Sequence, residues 1–210
     1  MRDIPDRFVA ALTEAGRAHE WQVYFKEDND VIAFERPLAP GVRAQFDLDI
    51  TWRKWGGLFL NPGLSVRHVE VSDLVARLLE LRNGGSQVGT NIADLAREHG
   101  RSEWVYPSIS SVEEIPQTVV DVLRDVEEFG ALFHSRFASV SGLIAGMEDR
   151  LSNIWVSYAQ FAVANAVAYG PNVAEPTLSR LDAMLATEPE LVASQLRGFL
   201  SRFRAHFDVS

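Results

Sequence analysis

Two aspartates, Asp47 and Asp49, stand two residues apart in the run QFDLDITWR, residues 45–53. If that run is a strand, both carboxylates point to one face, because side chains alternate across a strand. Paired carboxylates of this kind suit Mg²⁺ or Ca²⁺, with Glu35 on a neighbouring strand as a third oxygen ligand. They equally suit the solvated side of an amphipathic strand, flanked by Gln45, Thr51 and Arg53. No further ligand is set by spacing, so we expect no metal and no cofactor. We read Asp47, Asp49, Glu35 and Arg53 as a face for binding a partner.

His68, in Arg67-His68-Val69-Glu70, is the other residue whose type suits catalysis. A histidine titrates near neutrality, and a carboxylate at i+2 on a regular strand shares its face and can orient it. The bland alternative is a hydrogen-bonded histidine at a strand end. The five histidines, at 19, 68, 99, 134 and 206, form no ligand pair, and the chain has no cysteine. Zinc, disulfide and thiolate chemistry therefore have no basis here. No serine sits in a Gly-x-Ser-x-Gly elbow, and the glycines of Asn83–Thr90 lack the lysine of a phosphate loop. No catalytic residue is assigned.

Charge narrows the partner. The formal net charge is −9, and of 20 basic residues only Lys26 and Lys54 are lysines. Nucleic-acid binders present a basic face, so nucleic acid is not expected. Arg197, Arg202, Arg204 and His206 make the last helix basic, which suits the negative end of its dipole. The N-terminus leads to no apolar run of secretory type, and the near-apolar stretch Ile154 to Tyr169 contains Ser157, Gln160 and Asn165. We expect a cytoplasmic protein with no membrane span.

The elements that must carry these residues are legible from periodicity. Ile4, Phe8, Leu12 and Ala15 mark a first helix, with Asp3 as N-cap and Pro5 in the first turn. Trp21 to Lys26 and Val31 to Arg36 read as a hairpin about Glu27–Asp30. Phe46, Leu48, Ile50 and Trp52 form the apolar face of a half-buried antiparallel strand. Gly56-Gly57 and Asn61-Pro62-Gly63 read as turns around Leu58–Leu60. Leu64 to Val71 returns as a strand, and Ser72-Asp73 opens a helix. Asn83 to Gln87 reads as a mobile loop, Asn91 to His99 as a short helix, and Trp104 to Pro107 as ambiguous. Ser111 and Glu114 have capping-box spacing ahead of a helix that Gly130 closes. Helices follow over 139–151, 154–169, 177–186 and 190–207. The helix over 154–169 is apolar almost all round, which implies burial at the centre of the helical part or, second, a seam between two copies.

The fold class is α+β: an N-terminal helix and a meandering, mostly antiparallel sheet over 1–110, then an all-helical half over 111–210, with the two regions expected to pack together as one unit. The order "VYFKEDNDVIAFERP", "VRAQFDLDITW", "LNPGLSVRHVEVSDLVARLLE" and "DVEEFGALFHSRFASVSGL" resembles uncharacterised bacterial domain-of-unknown-function proteins that open with a helix and meander and close with helices. Some proteins of that build are immunity partners of polymorphic toxins. The resemblance implies an intracellular protein that neutralises a protein partner, such as a cationic toxin domain, and it carries over no functional residue. The alternatives are an enzyme with a site near Asp47, Asp49 and His68, and a helical adaptor that forms homodimers.

Overall fold

The computed structural model describes residues 3–27, 31–53, 57–82, 84–101, 103, 106–149, 151 and 154–209, with the backbone alone at 3 and 25–27. Residues 28–30 of the expected Glu27–Asp30 turn, Gly56 of the expected Gly56-Gly57 turn, Asn83 of the expected loop, Trp104 and Val105 of the ambiguous segment, and the capping side chain of Asp3 lie outside these. The fold is α+β as expected. Among the described residues, helix α1 (Asp3–Ala18) precedes strands β1 (Gln22–Glu27), β2 (Val31–Ala39), β3 (Val42–Arg53) and β4 (Gly57–His68). Helix α2 (Val69–Leu79), strand β5 (Val88–Asn91), helix α3 (Ile92–Glu98) and strand β6 (Ser108–Ile109) follow. Helices α4 (Ile115–Arg136), α5 (Val140–Glu148), α6 (Trp155–Tyr169), α7 (Glu175–Met184) and α8 (Glu190–Phe207) complete the chain. No helix among the described residues is long and apolar enough to cross a membrane.

The chain divides into two compact units, residues 1–66 with 89–136, and residues 67–88 with 137–210. This division runs differently from a cut near residue 110, because α4 packs with α1 and α3 in the sheet unit. The sheet has the order β1-β2-β3-β4-β5, with β6 beside β4. Alternation on β3 works as read: Phe46, Leu48 and Ile50 are buried. Each such side chain contributes roughly 1.5–3 kcal/mol through its removal from water. Phe46 stacks on Phe34 at 4.5 Å and meets Trp21 edge-on at 4.9 Å. Trp52 departs from the expectation. It is 36 % exposed, because the strand runs past the core after Ile50.

Four further expectations are corrected. Asn61-Pro62-Gly63 is no turn but the middle of β4, which runs unbroken for 12 residues. Pro62 sits there with its side chain buried on the core face. That strand ends at His68, and Val69 already belongs to α2, so Glu70 is an exposed helix residue and never shares a strand face with His68. Gly130 does not close its helix: α4 continues to Arg136, with Gly130 packed between the His134 ring and Leu64. The capping box is displaced by one residue. Glu114 accepts from the Ser110 amide at 2.7 Å and from its hydroxyl, and Ser111 makes no side-chain cap to the short 3₁₀ turn Val112–Glu114.

One cluster ties the sheet to α4. The Arg36 guanidinium donates to both Glu127 carboxylate oxygens at 2.8 and 2.9 Å, and Trp21 Nε1 donates to Glu127 Oε1 at 2.9 Å. Arg36 also lies 4.2 Å from the Trp21 ring centroid and donates to the His19 carbonyl. Burial opposes the Glu127 charge, but the Arg36 and Trp21 hydrogen bonds and the Arg36 charge outweigh it and hold the carboxyl below its usual range. His134 bonds through Nε2 to the Gln45 carbonyl at 3.2 Å, and burial pushes its pKa down to about 4.

In the second unit, α6 lies among α2, α5 and α7. Its middle, Tyr158 to Ala166, is largely buried, whereas Ile154 and Tyr169 at its ends are exposed. The stretch is therefore the central helix of that unit. Segment 84–87 is anchored rather than free. Gly84 sits so close to the Ser72 carbonyl that a Cβ would fall 1.9 Å from it, and Gln160 Nε2 donates to the Gly84 carbonyl.

Glu127→Gln should cost about 1–3 kcal/mol, the range for a charge-assisted hydrogen bond lost beside a partly buried cation, with an unchanged urea m-value. Acid should act in two stages. His134 binds its proton more weakly folded than unfolded, so its contribution is complete above pH 6.5 and is lost as pH falls towards about 4. The Glu127 contribution is present above the unfolded carboxyl value and is lost as pH falls further, through its lowered folded value. Urea midpoints measured from pH 7 to 4 should decline in wild type and flatten in His134→Gln.

Candidate functional site

The second face of the sheet carries every residue assigned to partner binding. Asp47 and Asp49 project from it because they alternate with Phe46, Leu48 and Ile50, which the core claims. Across the β2–β3 register, Ala33 opposes Asp47, Val31 opposes Asp49 and Glu35 opposes Gln45. Glu35 therefore stands a full pleat, about 6.7 Å along the strand, from the position opposite Asp47. Gln45 takes it up instead: Gln45 Nε2 donates to Glu35 at 3.3 Å, and Ser65 Oγ donates to Gln45 Oε1 at 3.4 Å. Among the described residues no group of three histidine or acidic side chains could hold a metal ion.

The two aspartates differ sharply in surroundings. Asp49 is exposed and accepts from Asn61 Nδ2 at 3.4 Å. Asp47 is half-buried, and its carboxylate lies directly over Gly63 on β4. A Cβ at Gly63 would meet its two oxygens at 2.8 and 3.1 Å. Burial, and then the Asp49 charge, push the Asp47 carboxyl above its ordinary value, while its own backbone amide pulls the other way. The reading of Asp47 as a solvated side chain is thus corrected. Strand β4 supplies a floor without a side chain, and the carboxylate settles into it.

Arg53 closes the face at the far end of β3. Its guanidinium lies 4.6 Å from the Phe59 ring centroid, and Phe59 in turn lies 5.0 Å from Tyr106. Beside them opens a cavity of about 380 Å³ lined by Arg53, Gly57, Phe59, Ser108 and Ser110 among others. Arg53 and Asp49 share a strand face four residues apart, so their Cα atoms are separated by about 13 Å. Along β3 this face carries Arg43, Gln45, Asp47, Asp49, Thr51 and Arg53 in order, so the carboxylates stand between two arginines, and Arg53 lies on an aromatic ledge. Phe59, Asn61, Gly63 and Tyr106 were not identified from sequence, since the Asn-Pro-Gly signal reads as a turn and hides the alternation of β4.

His68 does not join this face. It lies in the other unit, buried, with Nε2 3.0 Å from the Phe137 carbonyl and its amide donating to Gln87 Oε1. Both contacts are structural: they fix the start of α2 and the entry to α5. The basic residues of α8 are also engaged within that unit. Arg202 donates to the Leu78 carbonyl at 2.7 Å, Arg204 pairs with Asp182, and Arg197 pairs with Glu190. No protein-family model matches this chain, and neither curated proteins nor solved structures give a significant match.

Gly63→Ala should destabilise by about 1–3 kcal/mol, the range for inserting a methyl group where no space exists. Asp47→Asn should act oppositely. A carboxyl whose folded pKa is raised is favoured by acid, and its ionised form opposes folding at neutral pH. The asparagine variant should therefore melt at or above the wild-type temperature at pH 7, and the difference should shrink as pH falls through the titration of Asp47. Double-variant melting should show that Asp47→Asn also rescues part of the Gly63→Ala defect.

Proposed function

We propose that this chain is a cytoplasmic binding protein that neutralises a protein partner, in the manner of a toxin-immunity protein, through the polar face of its sheet. The observation that carries this is the arrangement of Asp49 and Arg53. Both are exposed, both project from one face of a rigid strand, and an open cavity adjoins the arginine end. Arginine and aromatic side chains are the types that anchor protein interfaces, and Arg53 stacked on Phe59 offers both at one point. The carboxylates of Asp47 and Asp49 would meet a cationic surface, such as that of a toxin that acts on nucleic acid, and complementary charge speeds encounter. The net charge of −9 acts in the same sense over longer range.

Asp49 and Arg53 take the main part, Asp47 tunes the charge beside them, and Glu35 is held by Gln45 at the margin. An enzyme is the second reading, favoured by the raised proton affinity of Asp47, which suits a general acid. Turnover of a substrate that Asp47→Asn abolishes would establish that reading in place of the first.

The test is capture of the product of the adjacent gene, followed by binding kinetics at two salt concentrations. Asp49→Asn combined with Arg53→Ala should weaken binding at least tenfold, about 1.4 kcal/mol, with little change in melting temperature. Raising salt should slow association more than it speeds dissociation, because exposed charges are screened beyond about 8 Å at physiological ionic strength. Salt-independent kinetics, or a partner indifferent to the double variant, would remove this face from the interaction.

A further inference from the structure

The polar face of β3 extends beyond the segment that holds Asp49 and Arg53, and its other end carries a cation without a counter-charge. Arg43, at the start of the strand, is half-buried and stands opposite Pro37 on β2, whose side chain offers no acceptor. Other half-buried arginines have counter-charges: Arg36 pairs with Glu127, Arg202 with Glu80 and Arg204 with Asp182. Arg43 has no ion pair, hydrogen bond or ring contact among the described residues. Glu35, diagonal to it across the β2–β3 register, accepts from Gln45 instead. A guanidinium drawn partly out of water without a counter-charge carries a desolvation cost, which an arriving anion offsets.

Building on the function proposed above, we infer that Arg43 is a specificity-determining residue of the partner-binding face, and that the partner is a folded protein whose surface presents cationic groups flanked on both sides by acidic ones. Along β3 the charges run Arg43, Asp47, Asp49, Arg53, that is plus, minus, minus, plus. Each arginine stands about 13 Å along the strand from the nearer aspartate. That exceeds the distance of about 8 Å over which exposed charges act at physiological ionic strength, so the signs do not merge into a neutral patch. The two arginines are about 33 Å apart. No small ligand reaches both, whereas a protein interface of standard size, about 800 Å² on each partner, is about that wide. The order also works against a second copy as the occupant. It reads the same from either end, so two such faces fully overlapped, parallel or antiparallel, set arginine on arginine and aspartate on aspartate. Like charges opposed in this way reject the wrong partner, and the complementary order of signs selects the right one.

The product of the adjacent gene is the probe, and the variants are Arg43→Glu, Arg43→Gln and Arg43→Lys. Arg43→Glu should weaken binding roughly tenfold, chiefly through slower association. Arg43→Gln should weaken it less, and Arg43→Lys should restore most of the affinity, because charge is what the partner reads there. Arg43→Gln should melt at or above the wild-type temperature, since it removes a cation that has no counter-charge. A melting temperature that falls in step with affinity across the three variants would make Arg43 a structural residue and overturn the inference. Binding that Arg43→Glu leaves unchanged, while Asp49→Asn with Arg53→Ala still weakens it, overturns the inference and leaves the proposed function standing. A product that does not bind the wild-type chain at all overturns both. Sedimentation that shows the chain alone forming a dimer, which Arg43→Glu strengthens or breaks, would make a second copy the occupant and overturn the inference as well.

Discussion

The bidentate pair between Arg36 and Glu127 is the contact on which the sheet unit depends. It joins residues 91 positions apart, one on β2 and one on α4. Both are partly shielded from water, so each charge left alone would carry a desolvation cost without a counter-charge. Trp21 completes the arrangement by donating its indole N–H to the same carboxylate and lying under the guanidinium. A buried tryptophan needs a partner for that N–H, and here its partner is also the anchor of α4. The aromatic cluster of Trp21, Phe34 and Phe46 and the buried His134 pack around this point. α4 therefore covers the sheet at one orientation, fixed by directional bonds as well as by hydrophobic burial.

The sheet that this contact holds has two sides with different work. On β3 the even-numbered residues from Val42 to Ile50 are given to the core. The odd-numbered ones carry charge at 43, 47, 49 and 53 and an amide at 45. β4 repeats the pattern, with Leu58, Leu60, Pro62 and Leu64 inward and Phe59, Asn61, Gly63 and Ser65 on the polar side. Neighbouring residues on the two strands complement one another: amide to carboxylate at 49 and 61, carboxylate over bare backbone at 47 and 63, amide to hydroxyl at 45 and 65. Paired groups of this kind let a face stay polar, while Asn61 Oδ1 is buried there without a hydrogen-bond partner among the described residues. Asp49 and Arg53 are exposed on this face.

In the second unit, charged residues that read as surface features bind its own backbone and helices. Arg202 caps the carbonyl of Leu78 near the end of α2, and Gln87 holds the amide that begins the same helix. Helix termini leave backbone groups without intrahelical partners, and side chains from distant segments fill that need here. Gly146 serves packing in the same unit. A Cβ there would stand 2.3 Å from the Phe137 ring, so the ring can lie against α5 only because the side chain is absent.

The sequence by itself determined the α+β class, the β3 alternation, α1, α4 to α8 in outline, and the side of the strand that bears Asp47, Asp49 and Arg53. These follow from periodicity, which is local and survives without knowledge of partners. It misread the middle of β4 as a turn because Asn-Pro-Gly is a turn signal in isolation, and only the flanking strands hold that segment extended. It placed a helix stop at Gly130, where the space needed by the His134 ring decides in favour of glycine. Glu35 looked like a companion to the aspartates until the register set it beside Gln45. The proton affinity of Asp47, the removal of His68 from the candidate site and the Arg36–Glu127 pair rest on contacts between residues far apart in the chain. Tertiary structure alone decided them, because burial and charge pairing depend on which surfaces meet, and no local pattern encodes that.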